Sequence, residues 1–460
     1  MKGHRHLTIV IKLGSSSIVH EKTHEPLLSI LSLIVETAVK LTKDGHRVVI
    51  VSSGAIAVGL RRMNVEKRPK SLPRTQALAA VGQCHLMSLW ANLFSYLQQP
   101  VAQILLTRND IADKKQYLNA QNTFTELLGM GVIPIVNEND TLAVSEIRQL
   151  EKFGDNDTLS AITAAMVHAD YLFLMTDVDC LYDKNPRTNP DAQAIEVVED
   201  VSSLEADVSS AGSSLGTGGM STKIVAARLA TSAGVTTVIT RSSSPGNIIN
   251  IVNYVQAQKQ ATKTGSVPTT PGEDTPLSNS VSSLTIDTLP APPLHTRFLP
   301  DPFPIRDRSF WLLHGLAPHG TLYIDAGAHR ALASKAGLLP AGIVHVEGHF
   351  AQQEAVRLVV VNKRNPVTDW SSAAYESGSN ANGGGALVEA TTGEVGRALV
   401  NYSAAEIVRI KGLQSTEIGA VLGYADTEYV AFRENISLTR EKSSRPVTPS
   451  PGVLTPQFSG

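Results

Sequence analysis

The sequence predicts an α/β fold: a mainly parallel sheet sandwiched by helices, followed by a smaller β-rich domain. Three observations carry this. Short, near-continuously apolar runs alternate with stretches of helical periodicity, as in a parallel sheet buried on both faces. Polar clusters recur directly after the apolar runs, where ligands bind in open α/β sheets. After Val252 the composition turns to Ser, Thr and Pro, and apolar runs resume only near Phe310.

Taken in order, Leu7 to Leu13 reads as a strand interrupted only by Lys12, and Gly14 to Ser17 turns it. Leu27 to Thr42 has helical periodicity and ends at Asp44-Gly45. Val48 to Val51 is an apolar strand that runs into Ser52-Ser53-Gly54. A helix over Thr75 to Tyr96 leads to the strand Val101 to Leu106. The helix Asn119 to Met130 leads to the strand Val132 to Val136, and the helix Asp157 to His168 to the strand Tyr171 to Met175. A glycine-rich segment, Gly216 to Lys223, opens a helix that Gly234 stops, before a strand over Val235 to Thr240. The first domain is therefore set at 7–255, a partly disordered linker at 256–304, the β-rich domain at 305–438 and a disordered tail at 439–460. In the second domain, Thr321 to Ile324, Ile343 to Val346, Ala355 to Val361, Arg397 to Asn401 and Tyr429 to Phe432 read as strands. Ala328 to Ala336 reads as a helix, and Asp369 to Gly385 as a flexible loop.

Composition narrows the function. With 460 residues, 42% of them apolar, the chain can bury a large core. A net charge of −2 gives no global attraction for nucleic acid or an anionic membrane. Cys84 and Cys180 are the only cysteines, too few for a disulfide framework or a zinc cluster. No signal-peptide core follows Met1, and no apolar run reaches membrane-spanning length. The expectation is a cytoplasmic protein with no membrane partner.

The residues suggest phosphate chemistry. Gly216-Thr217-Gly218-Gly219-Met220-Ser221-Thr222-Lys223 sets bare backbone N–H groups and a lysine at a helix start, which suits an anion. Tight packing is the plain alternative, since the segment is neither a P-loop nor a GxGxxG motif. Lys12 is either an edge-strand lysine that reaches water or a second phosphate cation opposing Lys223. Two lysines and two glycine-rich backbones fit phosphoryl transfer, in which positioning and electrostatics do most of the catalysis. Asn137-Glu138-Asn139-Asp140 and Gly154-Asp155-Asn156-Asp157 mix acids and amides, which suits a substrate bearing both a cation and a carboxylate. A carboxyl nucleophile is already ionised and needs no base. Asp155 and Asp157 could instead cap a helix, and Asp157 could also hold the two lysines in place. Thr176-Asp177-Val178-Asp179 could form a turn, or bind a metal, a ribose or a base.

As an ordered set these segments resemble the glutamate 5-kinase family of the amino acid kinase superfamily. The matching residues are Ile11 to Ser16, Ser52 to Ala57, Leu106 to Arg108, Val136 to Asp140, Gly154 to Leu159, Leu174 to Asp177 and Leu215 to Lys223. The C-terminal part is similar to a PUA domain over roughly Gly320 to Leu438. The resemblance implies ATP-dependent phosphorylation of the L-glutamate side-chain carboxylate, the first step of proline synthesis. It implies that Lys12 and Lys223 stabilise the moving phosphoryl group and that Asp157 orients them. Ser53, Gly54, Asp140 and Asn156 would contact glutamate, with Asn137 and Asp155 beside them. Lys12, Gly14, Thr176, Asp177 and Thr217, Gly218, Gly219, Met220, Ser221, Thr222 and Lys223 would contact ATP. Mg2+ would travel with the nucleotide, and no metal ligands are assigned. Feedback inhibition by proline and a homo-oligomer are further expectations. With no reductase domain following, the enzyme is expected to stand alone, with a separate glutamyl phosphate reductase acting next. Gln149 to Phe153 looks longer than in bacterial relatives, a departure that bears on the glutamate or proline pocket. One alternative is a related kinase acting on aspartate, acetylglutamate, carbamate or a nucleoside monophosphate. The other is an RNA-binding protein with a remnant kinase domain. Against RNA binding, residues 305–435 hold 11 Lys/Arg and 13 Asp/Glu, without the basic footprint it needs.

Overall fold

The computed structural model describes residues 6–142, 156–264, 291–361 and 393–439, apart from 185, 187, 188, 190, 202, 203, 205–218, 306, 317, 425 and 426. The chain divides into two compact units, Met1–Gly315 and Leu316–Gly460. The expected loop at Asp369 to Gly385, the segment Gln149 to Phe153, most of the linker and all but the first residue of the tail lie outside the described residues.

In the first unit the strands β1 (Thr8–Leu13), β2 (Arg47–Ser52), β3 (Val101–Leu106), β4 (Ile133–Glu138) and β5 (Tyr171–Thr176) come first along the chain. They are followed by a small antiparallel pair, β6 (Leu181–Tyr182) and β7 (Ala194–Ile195), then β8 (Val197–Val198), β9 (Thr236–Arg241) and β10 (Thr296–Phe298). The main sheet has the order β3-β4-β2-β1-β5-β9-β10-β8. Its first six strands are mutually parallel, and β10 runs antiparallel to β9. The chain lays β2, β3 and β4 on one side of β1, with β4 inserted between β2 and β3, and then returns to add β5 on its other side. That reversal places a crevice beyond the carboxyl ends of β2, β1 and β5.

Residues of a strand alternate between the two faces of a sheet. Ile9, Ile11, Leu13, Ile50, Ile135 and Phe173 join one core cluster with Leu31, Ile34, Trp90, Phe94 and Ile251. That face is covered by α2 (Leu28–Lys43), α4 (Leu72–Ser95) and α9 (Asn247–Thr264). The other face meets α7 (Asn156–Met166), which is buried from Asp157 to its end, and α8 (Met220–Ser232) packs against α7. Lys12 has the parity of Val10, so it points toward α7. Further described helices of this unit include α1 (Ser15–Ile18), α3 (Ala55–Arg62), α5 (Arg108–Ala112) and α6 (Lys114–Gly129).

Helices α3 and α4 cross at two glycines. A Cβ on Gly82 would lie 1.7 Å from the Ala55 carbonyl oxygen, and one on Gly59 would lie 2.0 Å from that of Leu78. No side chain fits between the two backbones there. The crossing fixes where the rest of α4 sits, including Gln83.

Two boundaries are corrected. The stretch 256–304, expected to be a linker, contains the end of α9 and the whole of β10, so the first unit does not end at 255. Ile248, Ile251, Val252 and Val255 give α9 a buried stripe, while its polar remainder resembles linker composition. Residues from Asp307 to Gly315 also belong to the first unit, where Trp311 Nε1 donates to the Ile111 carbonyl at 3.0 Å.

The second unit has a five-stranded sheet of order β12-β11-β13-β14-β15. The strands are β11 (Gly320–Asp325), β12 (Ile343–Gly348), β13 (Ala355–Val361), β14 (Glu394–Leu399) and β15 (Ile436–Leu438). The expected strand at Tyr429 to Phe432 is not one: that segment forms a single antiparallel bridge, Leu338 to Ala431. On the side of β14 away from β13, the paired strand is β15. Leu322, Ile324, Val356, Leu358, Tyr402, Ile407 and Val430 form the core of this unit.

Candidate active site

The crevice beyond β1 and β2 is lined by main chain that bends sharply. Gly14 follows β1, and a Cβ there would sit 3.8 Å from Lys12 Nζ, so the amine lies over bare backbone. Gly54 follows Ser53 with φ 105°, a left-handed conformation suited to glycine, and starts α3.

Lys12, Asp157 and Lys223 meet there. The Lys12 ammonium is ion-paired to Asp157 Oδ1, and Lys223 Nζ lies 3.4 Å from Asp157 Oδ2. Thr222 Oγ1 donates to the same Oδ2 at 2.8 Å. Asp157 is 0% exposed, Lys12 3% and Lys223 8%, so the group is almost dry. Burial alone would favour a neutral Asp157 carboxyl. The charges of Lys12 and Lys223, then hydrogen bonds from Lys12 and Thr222, outweigh it and hold that carboxyl well below the usual range. Two cations around one anion leave a net positive charge at buried strand ends, an arrangement that suits an anionic ligand.

An amide chain lies beside it. Asn156 Nδ2 donates to Ser53 Oγ at 2.7 Å and to Asn137 Oδ1 at 3.0 Å. Asn137 Nδ2 donates in turn to Gln83 Oε1 of α4 at 2.8 Å. Asn137 shares the face of Ile133 and Ile135, which is why it meets α4. The chain leaves Asn156 Oδ1 buried, with no hydrogen-bond partner among the described residues.

Other sequence candidates lie around these groups. Asp140 follows β4 in a turn and is partly buried. Burial raises its carboxyl to about 6, against the opposing charge of Arg68. At the end of β5, Thr176 is buried and its hydroxyl donates to Asp177 Oδ1 at 3.1 Å. Asp179 pairs with Arg241 at 2.7 Å, tying the end of β9 to the loop after β5. Gly219 precedes α8, and Met220, Ser221, Thr222 and Lys223 form its first turn. Asp155, Thr217 and Gly218 lie outside the described residues. Among the described residues, no group of three or more His, Cys, Asp or Glu could hold a metal ion, and no helix is long and apolar enough to cross a membrane. Gln83 and Arg68 were not among the candidates. Gln83 could have been noticed only as a polar residue beside Gly82 on a helix, and its contact is with a residue 54 positions away.

Comparison with known proteins shows the family. The model of the amino acid kinase family matches residues 7–241, and that of the PUA domain matches 320–422. A probable glutamate 5-kinase of Schizosaccharomyces pombe is 52% identical over 93% of this chain and 92% of its own length. An uncharacterised protein of Saccharomyces cerevisiae is 46% identical over 94% of this chain and 98% of its own length. A glutamate 5-kinase of a Cyanothece species is 43% identical over 94% of this chain and 99% of its own length.

Proposed function

The chain belongs to the glutamate 5-kinase branch of the amino acid kinase family, and we propose that it transfers the γ-phosphoryl group of ATP to the side-chain carboxylate of L-glutamate. A carboxylate oxygen bonds to the γ-phosphorus as the bond to the bridging oxygen breaks. ADP leaves, and the product is the acyl phosphate, glutamyl 5-phosphate. This is the first step of proline synthesis. The observation that carries the reading is the buried Lys12–Asp157–Lys223 group beside a chain of amides.

The roles follow from charge. Negative charge spreads over the moving phosphoryl group, and Lys12 and Lys223 meet it from two elements. Asp157 holds both amines in place and, because its carboxyl stays ionised, takes no proton. The glutamate carboxylate is ionised at neutral pH, so no general base is needed. Ser53, Gly54, Asn137, Asp140, Asp155 and Asn156 form the glutamate side. Gly14, Thr176, Asp177 and residues 217–223 form the nucleotide side, joined by Lys12. A magnesium ion would take its ligands chiefly from the nucleotide phosphates, as this ion commonly does. It would neutralise phosphate charge there.

Proline as a feedback inhibitor, a homo-oligomer, a separate glutamyl phosphate reductase downstream and a cytoplasmic location complete the proposal. The deciding measurement is coupled ADP release by the full chain with glutamate, aspartate or N-acetylglutamate. Glutamate is expected to be strongly preferred. Equal or faster release with either other acceptor overturns the assignment.

A further inference from the structure

We infer that Gln83 is a positioning residue that sets the polarity of the amide chain and thereby makes Asn156 an acceptor for the substrate ammonium. The inference rests on glutamate being the acceptor. An amide side chain has a donor end and an acceptor end, and either can face a given neighbour. Along this chain the direction is uniform: Gln83 Oε1 accepts from Asn137 Nδ2, and Asn137 Oδ1 accepts from Asn156 Nδ2. Ser53 Oγ accepts the other Asn156 donor bond. Each amide's direction thus matches that of the one behind it, and Gln83 stands first.

The end of the chain gives the direction its meaning. Asn156 Oδ1 is buried and has no hydrogen-bond partner among the described residues, which costs free energy unless a ligand supplies a donor. Asn156 hydrogen-bonds to Ser53, whose N–H in turn donates to the Leu13 carbonyl at the end of β1, so its side chain stands at the crevice that Lys12 enters. Glutamate carries one strong donor, its ammonium. Were Gln83 to present a donor instead, Asn137 and then Asn156 would have to turn over. The site would then show the substrate an N–H group, which an ammonium repels.

Gln83 has no contact with the Lys12–Asp157–Lys223 group, so its effect should fall on glutamate binding. Three variants of the full chain test this: Gln83→Glu, which only accepts; Gln83→Met, which does neither; and Gln83→Lys, which only donates. Q83E is expected to keep the KM for glutamate within about twofold. Q83M should raise it by about tenfold, the effect of one hydrogen bond, and Q83K should raise it further. The KM for ATP should stay unchanged throughout. Competitive inhibition by glutarate, which lacks the ammonium, should be the same in Q83M as in the wild type. Loss of side-chain packing alone would weaken both ligands. Wild-type KM in all three variants, or Q83K at least as good as Q83E, overturns the inference. If Q83K does not fold, the Q83E and Q83M pair still decides it. A wild-type chain that releases no ADP with glutamate brings down the acceptor assignment itself. An active wild type with unmoved variants brings down only the role of Gln83.

Discussion

At the scale of single residues, the proposed mechanism separates charges that act in the transition state from groups that hold the substrate. Lys223→Ala should lower kcat by about a hundredfold, the effect of losing roughly 3 kcal/mol of electrostatic stabilisation. The KM for glutamate should move far less. Lys12→Ala should behave alike; steady-state kinetics giving near-normal kcat in either variant would remove the two-lysine mechanism. Asp140 adds a pH effect of known sign. Its carboxyl is raised from 3.8 to about 6, so the free protein protonates it below about pH 6 and it can no longer attract an ammonium. The pH profile of kcat/KM for glutamate should therefore fall on the acid side of about pH 6, and Asp140→Asn should abolish that limb. Glutamate's own carboxyl titrates near pH 4.3, well apart from it. Asp157 is displaced the other way and stays ionised across this range, so the limb cannot come from it. The same Asp140 shift opposes folding: its stabilising contribution is full below about 3.8, declines up to about 6 and is constant above. Lys12 and Lys223 stood out in the sequence because a lysine in an apolar strand and one at a glycine-rich helix start are unusual. Gln83 did not, because a hydrogen bond between residues on different elements leaves no local pattern.

At the scale of elements, the two-glycine crossing of α3 and α4 connects packing to substrate binding. Gly82→Ala must push the helices apart and should lower stability by about 2–3 kcal/mol. Thermal unfolding should show a Tm roughly 5–10 °C lower. Because Gln83 is the next residue, glutamate binding should weaken as well. Gly129→Ala, whose added Cβ meets nothing within 4 Å, is the control and should leave Tm unchanged. A stable Gly82→Ala protein would mean the crossing is looser than described. The six parallel strands of the first unit were legible because burial on both faces demands continuous apolar runs. The helix α3 was not, because eight residues after a glycine hold too few turns to show a period. The strand β10 was hidden for a different reason. Thr296-Arg297-Phe298 sits in a proline-rich stretch, and only pairing with β9 and β8 makes it a strand.

At the scale of the whole molecule, that strand decides where the first unit can be cut. A chain ending at Val252 loses part of α9 and all of β10, including the fully buried Phe298. A chain ending at Gly315 keeps both, together with Trp311. The longer truncated chain should fold and release ADP with glutamate, whereas the shorter one should be unstable. Circular dichroism and the coupled assay on both would show it, and an active chain ending at Val252 would refute the boundary. The strand also imposes an order on synthesis. Val198 pairs with Phe298, one hundred positions later, and β10 lies between β8 and β9 in the sheet. During translation β3 waits only for β4, about thirty residues later, whereas β8 has no partner among the described strands until β10 is made. For that interval β9 presents an open edge to the cell, with unpaired backbone groups able to capture a strand from another chain. A ribosomal pause between residues 241 and 296 would lengthen that exposure, and slowed translation there should raise the aggregated fraction.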